Sequence, residues 1–417
     1  MLSYLRWPLF PRQYKSSTFA QQLLDIIKTL RVPSWSSKAT PHPVLCIRKV
    51  SGSLTNAVFF VSSPSTSSRT LLLRVYGSSS GPLISRRREL QVLHILSSRS
   101  KLGPRIYGTF TNGRLEEYFD SVTLTASDIR EPRISAYIGA RMAELHSVDV
   151  ATIEEQSHGS IIEIGVRKNV HSWLPHARSV LALPAIAPAI RKELDLDRFE
   201  LKWGGYMKWL KRVHLDARLV FCHNDAQYGN ILRLNKVEED TPDHHQVRPP
   251  CLPSLSLISH LTTSTDGRSF TSGITPSPQI IVVDFEYASP NPAAFDIANH
   301  FHEWTANYHG PTPHVLDSSR YPNHAQRRTF LTAYLEHRVD PPAFSDLSPA
   351  ARERELLALE NAVHAWAPAS HAMWALWGLV QAREDVLADV AQPEFDYVGY
   401  ARCRMAAFFR ELAVLGA

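Results

Sequence analysis

The chain has 417 residues, 44% of them hydrophobic and 20% charged, with 45 lysines and arginines against 40 acidic residues and a net charge of +5. That composition is globular, and the length suffices for two lobes with separate cores. The positive excess is scattered. Its one dense run, Arg86-Arg87-Arg88, lies inside a helical pattern, which argues against a nucleic-acid-binding surface of clustered basic and aromatic residues.

The first residues are basic and hold no acid before Asp25. This reads as an amphipathic helix running into residues 21–30 rather than as a transit peptide. Residues 1–43 are expected to form an N-terminal helical extension. Residues 44–50, 57–62 and 70–76 are short β-rich segments, and the polar tip 62–69 makes residues 57–76 a hairpin. Residues 85–97 carry Leu90, Leu93, His94 and Leu96 at helical spacing. Two further strands, 105–110 and 114–119, flank the turn dipeptide Asn112-Gly113. A small lobe over 44–118, an antiparallel sheet with one helix, follows.

Beyond Arg133 the pattern is helical over 134–146, 187–214, 326–337, 352–387 and 399–415. Strand-like segments interrupt it at 219–221, 231–234 and 280–285. Residues 235–279 are rich in Pro, Ser, Thr and His without periodicity, and read as a disordered surface insertion. The helical lobe is expected over 119–417. Cys46, Cys222, Cys251 and Cys403 are far apart with no CxxC pair, which fits a reducing compartment and no zinc site. No apolar run approaches a membrane span. A soluble, cytoplasmic protein is expected.

The chemistry is concentrated in two blocks. In Leu219–Leu234 (LVFCHNDAQYGNILRL), a β-rich run delivers His223-Asn224-Asp225, and Asn230 follows after four intervening residues. Phosphoryl transfer needs a carboxylate to take the acceptor proton and an oxygen ligand for Mg²⁺ close by, and the protein-kinase catalytic loop spaces its Asp and Asn in this way. An Asx-rich turn would explain Asn224 and Asp225, but not a second Asn flanked by apolar strands. The other block is the buried-strand run Ile280-Ile281-Val282-Val283, ending in Asp284-Phe285-Glu286. A carboxylate there sits at the rim of a core, where a metal bridging phosphates can be held. In the small lobe, Ser51-Gly52-Ser53-Leu54-Thr55-Asn56 offers a turn whose N–H groups could approach phosphates, though it also reads as a plain hairpin turn. Arg74 is a charge in an apolar strand and needs a partner; Glu89 on the next helix is the expected one. The pair is compatible with a phosphate contact or with a purely structural role.

Together SGSLTN, LLLRVYG, LGPRIYGTFTNGRLEEY, HNDAQYGNIL, DFEYASPNPAAFDIANHFHEW and SHAMWALWGLVQA resemble the choline/ethanolamine kinases, fungal choline kinases most of all. The resemblance runs from about Val44 to the C-terminus. It implies an α+β, protein-kinase-like two-lobe fold and ATP-dependent phosphorylation of an amino alcohol, with choline the expected acceptor, ethanolamine the alternative, and a kinase-fold binding protein without turnover opposed by the intact Asp225, Asn230 and Asp284. It implies Asp225 as base and Asn230 and Asp284 as Mg²⁺ ligands. ATP contacts are implied from Ser51, Gly52, Ser53, Thr55 and Asn56 of the turn, from Arg74 with Glu89, from the segment near Glu117, and from Gln227. Ser53 departs from the family's usual double glycine, and Ser85 stands where an Asp is common. A quaternary ammonium donates no hydrogen bond, so its recognition relies on aromatic faces and carboxylates. Glu286, Tyr287, Glu303, Trp304, Tyr308, Trp374, Trp377, Phe395 and Tyr400 supply both types. Trp374 and Trp377 share one helical face, which by itself suits core packing better than a cation wall. The resemblance places Tyr308, Trp374, Trp377 and Tyr400 around the cation, with Glu303 balancing charge. Asp296 and His300 are expected to brace the metal loop. A homodimer stays open.

Overall fold

A computed structural model describes residues 4–5, 8–35, 44–50, 56–64, 69–77, 83–100, 102–153, 162–213, 218–235, 280–339 and 342–417. The turn residues 51–55, and the expected insertion beyond Asn235, lie outside them.

The small lobe starts with strand β1 (Tyr4–Leu5) and helix α1 (Ser17–Thr29). The Ser16 hydroxyl accepts from Phe19 N–H at 3.1 Å and caps α1. Strands β2 (Cys46–Lys49), β3 (Asn56–Ser62) and β4 (Leu71–Tyr76) precede helix α2 (Arg86–Ile95), and β5 (Ile106–Phe110) and β6 (Gly113–Glu117) follow. They form one sheet in the order β1-β5-β6-β4-β3-β2, antiparallel except for the β1–β5 pair. Both expected hairpins are present.

One sheet face is apolar. Phe59, Leu71, Leu73, Phe110 and Leu115 pack there against Phe19, Leu23, Ile26 and Ile27 of α1 and against Trp35 beyond it. The helix expected as an N-terminal extension thus closes the small-lobe core. Leu23 is fully buried, so Leu23→Ala should destabilise the protein by about 2–5 kcal/mol, the cost of a core truncation. A denaturant midpoint that does not move would mean that α1 is detachable.

The opposite face is charged. Arg74 and Arg114 stand directly across from each other on β4 and β6, an unfavourable pairing unless carboxylates intervene. Glu116 Oε1 accepts from Arg74 Nε at 3.0 Å and from Arg114 Nε at 2.8 Å, while Glu89 of α2 meets Arg114 Nη2 at 2.7 Å and Arg86 Nη1 at 2.9 Å. The expected Arg74–Glu89 pair is therefore not formed. Glu116 lies nearer along the shared face, and Arg114 and Arg86 take Glu89.

The large lobe contains β7 (Ser121–Thr123), α3 (Pro132–His146), α4 (Val150–Ile153), α5 (Gly165–Leu181), α6 (Pro188–Glu193) and α7 (Leu196–Val213). Strands β8 (Leu219–Cys222), β9 (Ile231–Leu234), β10 (Ile280–Val282) and β11 (Ser289–Pro292) follow, then α8 (Ala293–Glu303), α9 (His324–His337), α10 (Pro349–Gln381), α11 (Arg383–Leu387) and α12 (Tyr397–Leu415). Two small antiparallel ladders matter most. Pairing of β9 with β10 sets Ile231 opposite Val282, and pairing of β8 with β11 sets Cys222 opposite Ser289. The first ladder draws the Asp225–Asn230 loop beside Asp284. Helix α10 is 33 residues long and wholly buried over Ala365–Gln381, because α5, α8 and α12 pack around it. No helix of the described residues is long and apolar enough to cross a membrane.

Candidate active site

The loop between β8 and β9 hangs from the buried helix α8. Asp296, wholly buried, accepts from the backbone N–H of His223 and of Asn224, each at 2.8 Å, and faces His146 Nε2 at 3.0 Å. The Asn299 amide donates to Asn224 O at 3.0 Å, and His300 Nδ1 bonds Ala226 O at 2.8 Å. Asp296 and His300 therefore brace the Asp225–Asn230 loop, which carries one of the two implied metal ligands. Asn224 has φ 66° and Asp284 φ 70°, left-handed conformations that Asn and Asp tolerate better than other side chains but that still cost about 1–2 kcal/mol each. Asn224 is held there by its amide bonds to Tyr287 O and Ser289 Oγ, both 2.8 Å.

Asp225 emerges from this scaffold into a cleft of about 440 Å³ between the lobes. The Asn230 amide donates to Asp225 Oδ2 at 2.8 Å and to its carbonyl at 2.9 Å. Burial pushes the Asp225 carboxyl well up, with Glu303, Asp284 and Glu286 adding to the shift and Asn230 opposing it. Asp284 Oδ2 accepts from Arg74 Nη1 at 2.9 Å. Burial would raise the Asp284 carboxyl as well, but Arg74 and Arg114 outweigh it and hold it below the usual range. Asp284 Oδ1 is buried and has no hydrogen-bond partner among the described residues. Carboxylate oxygens of Asp284, Glu286 and Glu89 lie within 4.8 Å of one another. An orphaned oxygen in an all-oxygen donor set fits a hard divalent cation. Burial, with Asp284 and Glu89, pushes the Glu286 carboxyl up to about 7 against Arg86 and Arg74.

The far wall of the cleft is aromatic. Tyr287, Tyr308, Trp374, Trp377, Phe395 and Tyr400 line it together with Glu303, and Arg74, Gln227, Asn230, Asp284 and Glu286 line the near side. Successive rings stand edge to face: Tyr287 to Trp374 at 5.3 Å and 73°, Trp374 to Trp377 at 5.3 Å and 78°, Trp377 to Tyr400 at 5.8 Å and 76°. Perpendicular neighbours make a box rather than a stack. Indole N–H bonds fix it, from Trp377 to the Tyr287 hydroxyl and from Trp374 to Asn299 Oδ1, each 2.7 Å.

Four expected site residues, Asn56, Glu89, Glu117 and Trp304, lie away from the cleft lining. Asn56 donates to Glu286 at 3.3 Å and accepts from Arg86 at 2.9 Å, behind the acidic cluster. Glu89 is buried within the small-lobe ion pairs. The Glu117 carboxylate accepts from Arg105 N–H at 3.1 Å at the lobe junction. Trp304 is wholly buried beside His300. Tyr228 was not anticipated. Its hydroxyl accepts from Tyr308 N–H at 2.7 Å and seats that side of the cleft.

A carboxylate held by an amide, a second carboxylate with an unclaimed oxygen, and a cleft between a small sheet lobe and a helical lobe define a phosphotransferase with an alcohol as acceptor. Comparison with known proteins narrows this. The model of the choline/ethanolamine kinase family matches residues 47–409. Choline kinase of Schizosaccharomyces pombe is 33% identical, the alignment covering 95% of this chain and 90% of that protein. Choline/ethanolamine kinase of Homo sapiens is 30% identical over 88% of this chain and 80% of its own. The crystal structure of choline kinase from Cryptosporidium parvum superposes with a TM-score of 0.67 at 20% identity, covering 95% of this chain and 97% of that one. The chain belongs to the choline/ethanolamine kinase family.

Proposed function

We propose that this protein transfers the γ-phosphoryl group of ATP to choline, giving phosphocholine for phosphatidylcholine synthesis, with Asp225 as the base. The acceptor hydroxyl gives its proton to the Asp225 carboxylate as its oxygen bonds to the γ-phosphorus. The bond from that phosphorus to the β–γ bridging oxygen breaks, and ADP departs. Asn230, through its amide, keeps one Asp225 oxygen oriented. Asn230 and Asp284 would hold Mg²⁺, which when bound offsets charge on the phosphates. Arg74 and Gln227 line the nucleotide side. The protein acts as a soluble cytoplasmic enzyme.

The aromatic box opposite Asp225 carries the choice of acceptor. Three methyl groups on nitrogen need apolar contact and negative ring faces, and a desolvated cation–π contact contributes about 2 kcal/mol. Ethanolamine, whose ammonium has N–H donors, gains less from such walls. Choline is therefore expected to exceed ethanolamine by about one to two decades in kcat/KM, at about 1.4 kcal/mol per decade. Trp377→Ala should erode that preference more than it lowers turnover of ethanolamine. Steady-state kinetics with both alcohols decide the matter, and equal or better use of ethanolamine would overturn the acceptor while leaving the phosphotransferase intact.

A further inference from the structure

Behind the aromatic wall, Arg404 of α12 is completely buried. Each of its three guanidinium nitrogens has a partner. Nη2 donates to Glu303 Oε1 at 2.7 Å, Nε donates to the Tyr400 hydroxyl at 2.9 Å, and Nη1 faces His371 Nδ1 at 3.4 Å. The guanidinium carbon also sits 5.1 Å from the Tyr400 ring centroid. On the other side of Glu303, Oε2 accepts from the Tyr308 hydroxyl at 2.7 Å. Glu303 is 2% exposed, so each carboxylate oxygen has a donor, and a full positive charge stands within hydrogen-bond distance.

A carboxylate so paired presents a dipole to the cleft rather than a net charge. A primary ammonium entering the cleft must replace the hydrogen bonds its N–H groups made to water, or pay for their loss. The acceptors it would seek on Glu303 each hold one donor already, and the Arg404 charge beside them weakens what their remaining lone pairs offer a cation. A quaternary ammonium makes no such demand. Resting on the choline reading above, we infer that Arg404 is a positioning residue that cancels the charge of Glu303 and fixes Tyr308 and Tyr400 around it, and so selects a quaternary over a primary ammonium acceptor.

A double-mutant cycle tests this on the full chain with Mg·ATP saturating. Glu303→Gln leaves Arg404 uncancelled beside a cationic acceptor. The KM for choline should rise about tenfold, equivalent to about 1.4 kcal/mol, with kcat changing little. Adding Arg404→Met removes the stranded charge, and KM should return to within about threefold of wild type by coupling of the two sites. A merely structural role for Arg404 gives no such rescue, since the second substitution would only add damage. Tyr308→Phe keeps the ion pair but frees Glu303 Oε2, and should raise the ethanolamine-to-choline ratio of kcat/KM about tenfold. It acts on a half-buried ring and carries the test if Glu303→Gln does not fold. An unmoved KM in Glu303→Gln, a double variant no better than the single, or an unchanged ratio in Tyr308→Phe would each overturn the inference. Failure of the choline reading itself shows separately, as a wild-type enzyme that prefers ethanolamine.

Discussion

Asp225→Asn should lower kcat by a factor on the order of 10² or more, the lower range for loss of a general base, with the KM for ATP nearly unchanged. The substituted amide has the same shape and its oxygen can still receive the Asn230 bond, so the loop geometry should survive and the loss is one of proton acceptance. Asp225 lines the cleft but forms no hydrogen bond or ion pair with Arg74, which bonds Glu116 and Asp284, so nucleotide binding has no reason to weaken. Asp284→Ala should behave differently. It removes the orphaned oxygen and leaves Arg74 with Glu116 alone, so both turnover and the Mg²⁺ dependence of ATP binding should deteriorate. Titrating ATP at several Mg²⁺ concentrations separates the two variants. Wild-type-like turnover in Asp225→Asn would remove Asp225 from the role of base.

Much of this centre was legible in the sequence because polar residues stood where an apolar strand ends. Asp225, Asn230 and Asp284 each flank a run of β-formers, and pairing of β9 with β10 brings those runs together. The aromatic wall was legible only through the family resemblance, since Trp374 and Trp377 at helical spacing are also what a core helix requires. Helix α8 was not read as a helix at all. Its inward groups include Asp296, Asn299, His300, His302 and Glu303, every one buried, so no single apolar stripe marks it. Most of those polar residues bond the neighbouring loop or the aromatic wall, and His302 bonds Glu411 of α12. Asn299 alone joins the Asn224 carbonyl to Trp374 and Ser370. Helix α5 was also missed; it carries Pro175 in its interior, which reads as a breaker in sequence. Arg404 had a visible signal, a lone charge on the apolar face of the last helix, yet only the fold reveals that Glu303 lies opposite it. Arg74 needed a partner on grounds of burial alone, and the need was correct; the partner depended on strand register, which placed Glu116 closer than Glu89.

The largest expected effect on stability belongs to Asp296. Its two oxygens take three donors, the His223 and Asn224 N–H groups and His146 Nε2. In Asp296→Ala those donors stay buried without an acceptor, at a cost of about 3–5 kcal/mol for a broken buried charge network. Asn224 then loses one of the bonds that hold it in place, and Asp225 is its immediate neighbour, so turnover should fall together with stability. Asp296→Asn keeps the shape and one acceptor oxygen and should recover part of both. The pH dependence follows from sign. Burial alone would push the Asp296 carboxyl up, but the hydrogen bond and charge of His146, with His223 beyond it, outweigh burial and hold it below the ordinary range. A carboxyl depressed by folding contributes stability that is present above its unfolded value of about 3.9 and is lost as pH falls through the folded value. Wild-type protein should therefore lose part of its unfolding free energy below about pH 4. Asp296→Asn, with nothing to titrate there, should show a flatter acid limb from a lower plateau. Denaturant unfolding between neutral and acid pH reads both quantities. Parallel acid limbs in the two proteins would mean that Asp296 does not carry the linked proton.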